Sequence, residues 1–277
     1  MSCSRVTMAV RHFAAAILVV IPPAVAPADA LTGIGWLFAQ PGATAIAANP
    51  TASNYLNGSS PIVMKGARTP IPAAWKATPY EAFASYAVMR SAFRNGTLVA
   101  GERAIMYDNE NWSSTPAGEQ QDPALYEKRA ANLVHGAGLL FVSAPALDLV
   151  RVIDPGCSPF WQCYLKLGLA AGGARYADIF DIQAQSLEND TANYADFVGL
   201  AAAQARRANP KVVVLAGLST DPDGDATTER AILAAIAATR NIVQGYWFNI
   251  PATSVQCPSC TYDPELAIEV IDYLGSH

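Results

Sequence analysis

Two carboxylates, two residues apart at the end of an apolar segment, are the part of this sequence best suited to chemistry. Residues Arg103 to Trp112 read RAIMYDNENW. Ala104 to Tyr107 has the composition of a buried strand, and Asp108, Asn109 and Glu110 follow without a break. Side chains at i and i+2 of a strand share a face, so Met106, Asp108 and Glu110 point into one space. Two acids in one space cannot both ionise cheaply, which splits their pKa values and suits one of them to general-acid work. Glu110 lies furthest along the strand and is expected to be the acid, with Asp108 tuning it or orienting a substrate group.

Other strand ends supply further groups. DIFDIQAQS places Asp181, Gln183 and Gln185 in an i, i+2, i+4 row, with Asp181 as the candidate second carboxylate. GYWFNIP places Trp247 and Asn249 on one face, the first strand contributes Trp36, and the second ends in Lys65. Gathered at one opening, these groups would suit a sugar. Amides and carboxylates hydrogen-bond hydroxyls in either direction, and flat aromatic faces pack on sugar C–H faces. Glycoside hydrolysis needs one protonated and one ionised carboxyl beside the scissile bond. The expected catalytic set is Glu110, Asp108 and Asp181. The expected substrate ligands are Gln183, Gln185, Trp247, Asn249, Lys65 and Trp36.

The histidines exclude much else. There are three. His12 falls in the N-terminal segment, His277 is the last residue, and His135 ends a helix that leads into a strand. A Ser-His-Asp or Cys-His mechanism therefore has no base, and His-based zinc or iron sites lack ligands. Walker, kinase and G-x-S-x-G patterns are absent. Asp221-Pro222-Asp223-Gly224-Asp225 looks like a fragment of a calcium loop, but Glu229 falls too early to be its last ligand. No cofactor and no metal is expected. Net charge is −5 with no basic block, so nucleic acid is not an expected partner.

Arg5, Arg11 and His12, then the apolar run Phe13 to Ile21, then Ala28-Asp29-Ala30, have the layout of a cleaved secretory signal peptide. The expectation is a secreted, extracellular, bacterial protein. Residues 1–30 are removed, 31–277 form a single domain, and the protein is a monomer with no stable membrane anchor, since the apolar run is too short to span a bilayer. Cys157, Cys163, Cys257 and Cys260 remain, an even number in an oxidising compartment. Local pairing, Cys157 with Cys163 and Cys257 with Cys260, is expected among three connectivities.

The elements that must position these groups follow from periodicity. Short β-branched runs alternate with long Ala-rich amphipathic ones in a repeat of roughly 35 residues, the signature of a parallel α/β sheet. Strands are predicted at 34–39, 62–65, 104–107, 139–143, 178–183, 212–216 and 242–249. Helices are predicted at 80–94, 123–136, 161–171, 194–208, 228–239 and 264–274, with Asp122, Asp190 or Asn193, and Asp263 as caps. The roughly 250 residues after the signal match a (β/α)8 TIM-type barrel, whose chemistry sits at the C-terminal ends of its strands. Seven strands are clear. The eighth is expected within Pro41–Tyr55, or the first βα unit is irregular or missing. A doubly wound open sheet competes, but its glycine-rich loop after the first strand is absent.

A strand ending in D-x-E inside a secreted barrel resembles the chitinase-type and lysozyme-type glycoside hydrolases. Chitinase-type enzymes end one strand in D-x-x-D-x-D-x-E. Asp108 and Glu110 match its last two acids, and Met106 stands where an earlier Asp would be. The resemblance implies that Glu110 is the acid, that Asp108 assists a substrate acetamido group, and that Trp247 is the aromatic near the final strand. The expected function is a secreted glycoside hydrolase-like protein acting on a polysaccharide or oligosaccharide. The alternative is a non-catalytic carbohydrate-binding or cell-surface barrel protein that has lost the chemistry.

Overall fold

The computed structural model describes residues 34–57, 61–64 and 71–277, and of residues 61–64 the backbone alone. Residues 1–30, expected to be a signal peptide, and Lys65 lie outside the described residues. Eight strands occur in chain order: β1 (Gly35–Phe38), β2 (Pro61–Met64), β3 (Thr78–Phe83), β4 (Ala104–Tyr107), β5 (Leu140–Ser143), β6 (Ile179–Ile182), β7 (Val213–Ser219) and β8 (Gly245–Asn249). Each pairs in parallel with the next. β1 also pairs with β8, from Gly35 opposite Gly245 to Phe38 opposite Phe248, so the sheet curls until its first strand meets its last. Gly245 is the residue that permits this seam. A Cβ there would collide with the backbone carbonyl of Gly35. Gly245→Ala is therefore expected to destabilise the protein by about 3 kcal/mol or more, beyond ordinary overpacking, because backbone rather than a side chain must give way. Urea unfolding of the variant checks this.

Helices occupy the connections: α1 (Gln40–Ala48), α2 (Pro50–Leu56), α3 (Tyr86–Asn95), α4 (Ala117–Gln121), α5 (Pro123–Gly136), α6 (Val150–Ile153), α7 (Phe160–Lys166), α8 (Leu169–Ala174), α9 (Thr191–Ala208), α10 (Glu229–Thr239) and α11 (Pro264–Ser276). The capping expectations hold for α5, α9 and α11. Asp122, Asp190 and Asp263 accept from the backbone N–H of Leu125, Asn193 and Leu266. Ser85 and Thr228 do the same for α3 and α10. Among the described residues no helix is long and apolar enough to cross a membrane.

Strand alternation divides the core in two. Leu37, Tyr80, Met106, Val142, Ile179, Leu215 and Trp247 form one cluster inside the curl. Trp36, Phe38, Ile105, Tyr107, Phe180, Val214, Tyr246 and Phe248 face outward against the helices. The sheet is thus buried on both faces, which is why its strands read as continuous apolar runs.

Three element expectations are corrected. Pro41–Tyr55 holds no strand. It forms α1 and α2, with Asn49 capping the second through Thr51 and Ala52. The strand missed by sequence is β3, whose second half was read as the start of a helix. Tyr80-Glu81-Ala82-Phe83 fits either period, and only Ser85 marks where the helix begins. The predicted helix 161–171 is two helices, broken at Gly168, which adopts a φ of 71°. Both disulfides are local, Cys157–Cys163 and Cys257–Cys260, and suit an oxidising compartment. His135 ends α5 and lies 2.9 Å from Asp178 at the N-terminal end of β6, on the rim away from Glu110.

Candidate functional site

β4 delivers Asp108 and Glu110 to the C-terminal rim. The backbone N–H of Asp108 bonds the carbonyl of Phe83, and its side chain is buried. Gln183, one residue beyond β6, donates from Nε2 to Asp108 Oδ1 and to the carbonyl of Ala144, both at 2.8 Å. Two acceptors on one nitrogen fix the orientation of that amide. Its Oε1 then accepts from Gln185 Nε2 at 3.4 Å. The carboxyls of Asp108 and Glu110 hydrogen-bond each other. Burial raises both pKa values. Burial pushes Asp108 up to about 7 against the donors from Glu110 and Gln183, which hold it down. Burial drives Glu110 well above the usual carboxylate range, and the charges of Asp108 and Asp148 add to it. At neutral pH the proton of the pair therefore sits on Glu110, which donates to Asp108.

Removal of the Gln183 donor tests this order. Gln183→Leu is expected to raise the Asp108 titration midpoint by roughly 1–2 pH units, since a hydrogen bond to a charged group is worth about 1.5–3 kcal/mol. Carboxyl NMR titration reads it directly.

The segment around the pair is tied down from behind. Asn109 Nδ2 donates to the Glu119 carbonyl, and the Asn109 carbonyl accepts from the Ala146 N–H. Gln120 Nε2 donates to the carbonyls of Trp112 and Thr115, and Thr115 Oγ1 to that of Ala84. Glu119 is buried beneath α3. Its carboxylate accepts from the N–H groups of Tyr86 (2.6 Å) and Ala87 (3.1 Å), from Ser85 Oγ (3.3 Å) and from the Tyr107 hydroxyl (2.8 Å). It thus caps the first turn of α3 and meets the end of β4 at once. Glu119→Ala would strand four donors in the interior and is expected to cost about 3–5 kcal/mol, since a buried donor left without its partner costs about 1–3 kcal/mol and some of the four can find others. The fall in Tm by calorimetry checks it.

In front of Glu110 lies a cavity of about 460 Å³. Its lining includes Asp148 and Arg151 from the connection after β5, Gln183 and Gln185 after β6, Asp223 after β7, and Cys257 to Ser259 after β8. Trp112 and Phe160 supply aromatic surface. Asp148 Oδ1 accepts the Asn111 N–H at 3.0 Å. Burial raises its pKa, while that bond and the charge of Arg151 oppose the rise. Asp223 is also raised by burial and opposed by Arg151, and it holds a φ of 58°. The Arg151 guanidinium lies 4.8 Å from the centre of the Phe160 ring. The arrangement offers one acid whose burial favours its protonated form and, lining the same cavity, Asp148 with the Asn111 N–H as donor and Asp223 under the charge of Arg151. Among the described residues no group of His, Cys, Asp and Glu is arranged to hold a metal ion.

The structure brings Glu110, Gln183 and Gln185 together at this cavity, with Asp108 directly behind. Other expectations need correction. Asp181 lies inside the curl with no exposure and, among the described residues, no hydrogen bond to either oxygen, and it does not line the cavity. β6 ends at Ile182, so the row of polar residues clears the sheet only from Gln183 onward, and Gln185 belongs to a turn rather than the strand. Burial, with the charge of Asp108, holds the Asp181 pKa well above its usual range. Trp247 pairs with Leu37 and Gly217 and sits in the inner cluster, below the opening. Trp36 points to the other face, stacked on Phe38 and packed against Tyr246 and Phe248. Asn249 is partly exposed at the end of β8, and its carbonyl accepts the Thr220 N–H. It is not part of the cavity lining.

Sequence reasoning missed Asp148, Arg151, Asp223, Trp112 and Phe160. Asp148 is the one acid within the apolar run Ala144–Val150, a signal that was there to read. Asp223 sits in an acidic loop whose spacing points only to a broken calcium motif. No protein-family model matches the chain, and no curated protein matches it in sequence.

Proposed function

We propose that this chain is a secreted glycoside hydrolase-like protein on a (β/α)8 barrel of the TIM type, cleaving a polysaccharide by carboxylate acid/base catalysis with Glu110 as general acid. One observation carries the reading: Glu110, hydrogen-bonded to the buried acid Asp108, opens on a cavity lined by further acids, amides and aromatic rings. Glu110 protonates the glycosidic oxygen. As Glu110 turns its proton from Asp108 to the glycosidic oxygen and becomes anionic, Asp108, held in place by Gln183, takes up a proton from solvent, so the pair keeps one proton. Asp148 replaces Asp181 as the second carboxylate. It lines the cavity, and its charge acts on both Asp108 and Glu110. It either activates water or attacks the anomeric carbon. Trp112 takes the stacking role first expected of Trp247, and Gln185 bonds sugar hydroxyls.

The test compares wild type with Glu110→Gln on chitin, peptidoglycan and plant polysaccharides. Hydrolysis by wild type that the variant loses supports the enzyme. Binding by both proteins with turnover by neither moves the assignment to the non-catalytic carbohydrate-binding alternative. Activity confined to a non-sugar polymer overturns both.

A further inference from the structure

The two disulfides have a common address. Cys157–Cys163 closes the connection after β5, and Phe160, between its cysteines, lines the cavity beneath Arg151. Cys257–Cys260 closes the connection after β8, and Cys257, Pro258 and Ser259 line the cavity themselves. Neither bond links one strand or distant helix to another. The sequence separations are 6 and 3 residues. Constraint of the unfolded chain grows with loop length, so loops this short add least to global stability. Their effect is local order.

That order reaches the acid on the cavity wall. Ser254 and Cys257 exchange hydrogen bonds, Ser254 N–H to the Cys257 carbonyl and Cys257 N–H to Ser254 Oγ. Thr253 Oγ1 donates to the Cys260 carbonyl. The stapled turn then locks onto the β7 connection. Thr261 N–H donates to Asp221 Oδ2 at 2.6 Å, and Ser259 fills the space over Gly224, where a Cβ would collide with it. Gly224 follows Asp223 directly, so the turn buttresses the backbone that carries Asp223. On the other wall, the half-buried Cys157 is tied to Cys163, which is buried in the outer core, and this fixes the start of α7 where Phe160 sits.

We propose that the cavity is a disulfide-assembled site, complete only when both rim loops are oxidised, so that the chain becomes competent to bind in an oxidising compartment and not before. Each bond forms by thiol–disulfide exchange. Two cysteine thiols lose two protons and two electrons to a disulfide oxidant, which leaves as two thiols. A dithiol reductant reverses the step. The inference takes the cavity as the ligand site and so rests on the reading above.

The experiment uses the full chain, oxidised or treated with dithiothreitol, followed by amide hydrogen exchange and by binding to the polysaccharide panel. Reduction is expected to speed exchange in residues 154–163 and 253–261 by roughly 10-fold or more, with strands β4 to β7 changing less than about twofold, as local opening does. Polymer retention should fall roughly 10-fold in parallel. The variant pairs Cys157→Ser with Cys163→Ser, and Cys257→Ser with Cys260→Ser, should each loosen their own loop only. Unchanged loop exchange overturns the proposal. So does exchange rising throughout the sheet, or loosened loops with undiminished retention. If the oxidised protein holds none of the polymers, the sugar reading fails while the exchange data still decide whether oxidation builds the cavity walls.

Discussion

Glu110→Gln is expected to slow polysaccharide hydrolysis by about 10²–10⁴-fold, the usual worth of a general acid, while polymer binding stays within about threefold. The substitution is nearly isosteric, and the new amide can still donate to Asp108, so the cavity keeps its shape and only the transferable proton is lost. Asp148→Asn should cause a loss of similar size, because the second carboxylate must be ionised and an amide cannot replace it. Asp181→Asn provides the contrast. This acid is sealed inside the curl and already holds its proton, so the neutral amide should leave turnover within about twofold and stability almost unchanged. Reducing-end release and polymer pull-down for the three variants separate these outcomes. A Glu110→Gln enzyme with the wild-type rate would remove Glu110 from the chemistry, and a large loss from Asp181→Asn would restore it to the interior acid.

The site residues legible in sequence were those that continue a strand's own geometry. Asp108 and Glu110 extend β4 with no turn between, so period-2 reasoning carried to the rim. It carried to Gln183 too, one residue past β6. It failed where position depends on how far a strand runs. Asp181 and Trp247 have the inward face that was expected, but the sheet continues past them, and that depth is set by pairing with Leu215, Gly217 and Leu37 on other strands. For Trp36 the parity itself was wrong. Leu37 faces inward, so its neighbours cannot. Asp148, Arg151 and Asp223 come from connections, whose course follows tertiary contacts such as the Asn111–Asp148 bond and the Ser259–Gly224 contact rather than any period. The repeat of strand and helix was legible because burial on both faces forces apolar strands. β3 was not, because its Pro, Tyr and Glu residues do not read as an apolar run.

The protein is also expected to lose stability as pH rises from 5 to 8.5, opposite to the behaviour of a protein held by salt-bridged carboxylates. The cause is a set of buried acids whose hydrogen-bond partners among the described residues are neutral groups or other acids. Burial pushes Asp108 up to about 7 and Glu188 up to about 8, and it drives Glu110, Asp181 and Glu127 well above their usual range. Glu188 is enclosed where the connection after β6 meets the end of β7, its Oε2 accepting the Ser219 N–H at 2.8 Å. In the unfolded chain these groups titrate near 4, so between that pH and the folded values the native state binds more protons than the unfolded one. Stability is then full below the unfolded values and declines as pH climbs through 7 and 8, where each acid must either ionise in the interior or be released by unfolding. Over the window from pH 5 to 8.5, Asp108 and Glu188 together account for roughly 6 kcal/mol, which for a domain of this size lowers Tm by roughly 10 °C or more. Calorimetry at fixed ionic strength measures it, and a Tm that rises across this window would contradict the assignment. Glu188→Gln isolates one contributor, since a neutral amide has no proton to lose. That variant should show a flatter profile and a higher Tm than wild type at pH 8.5, with hydrolysis unaffected at pH 6. Asp108 cannot be neutralised so freely. Its titration near 7 is the same property that lets it respond when Glu110 gives up a proton, so the stability lost toward alkaline pH and the alkaline limb of activity are expected to share a cause.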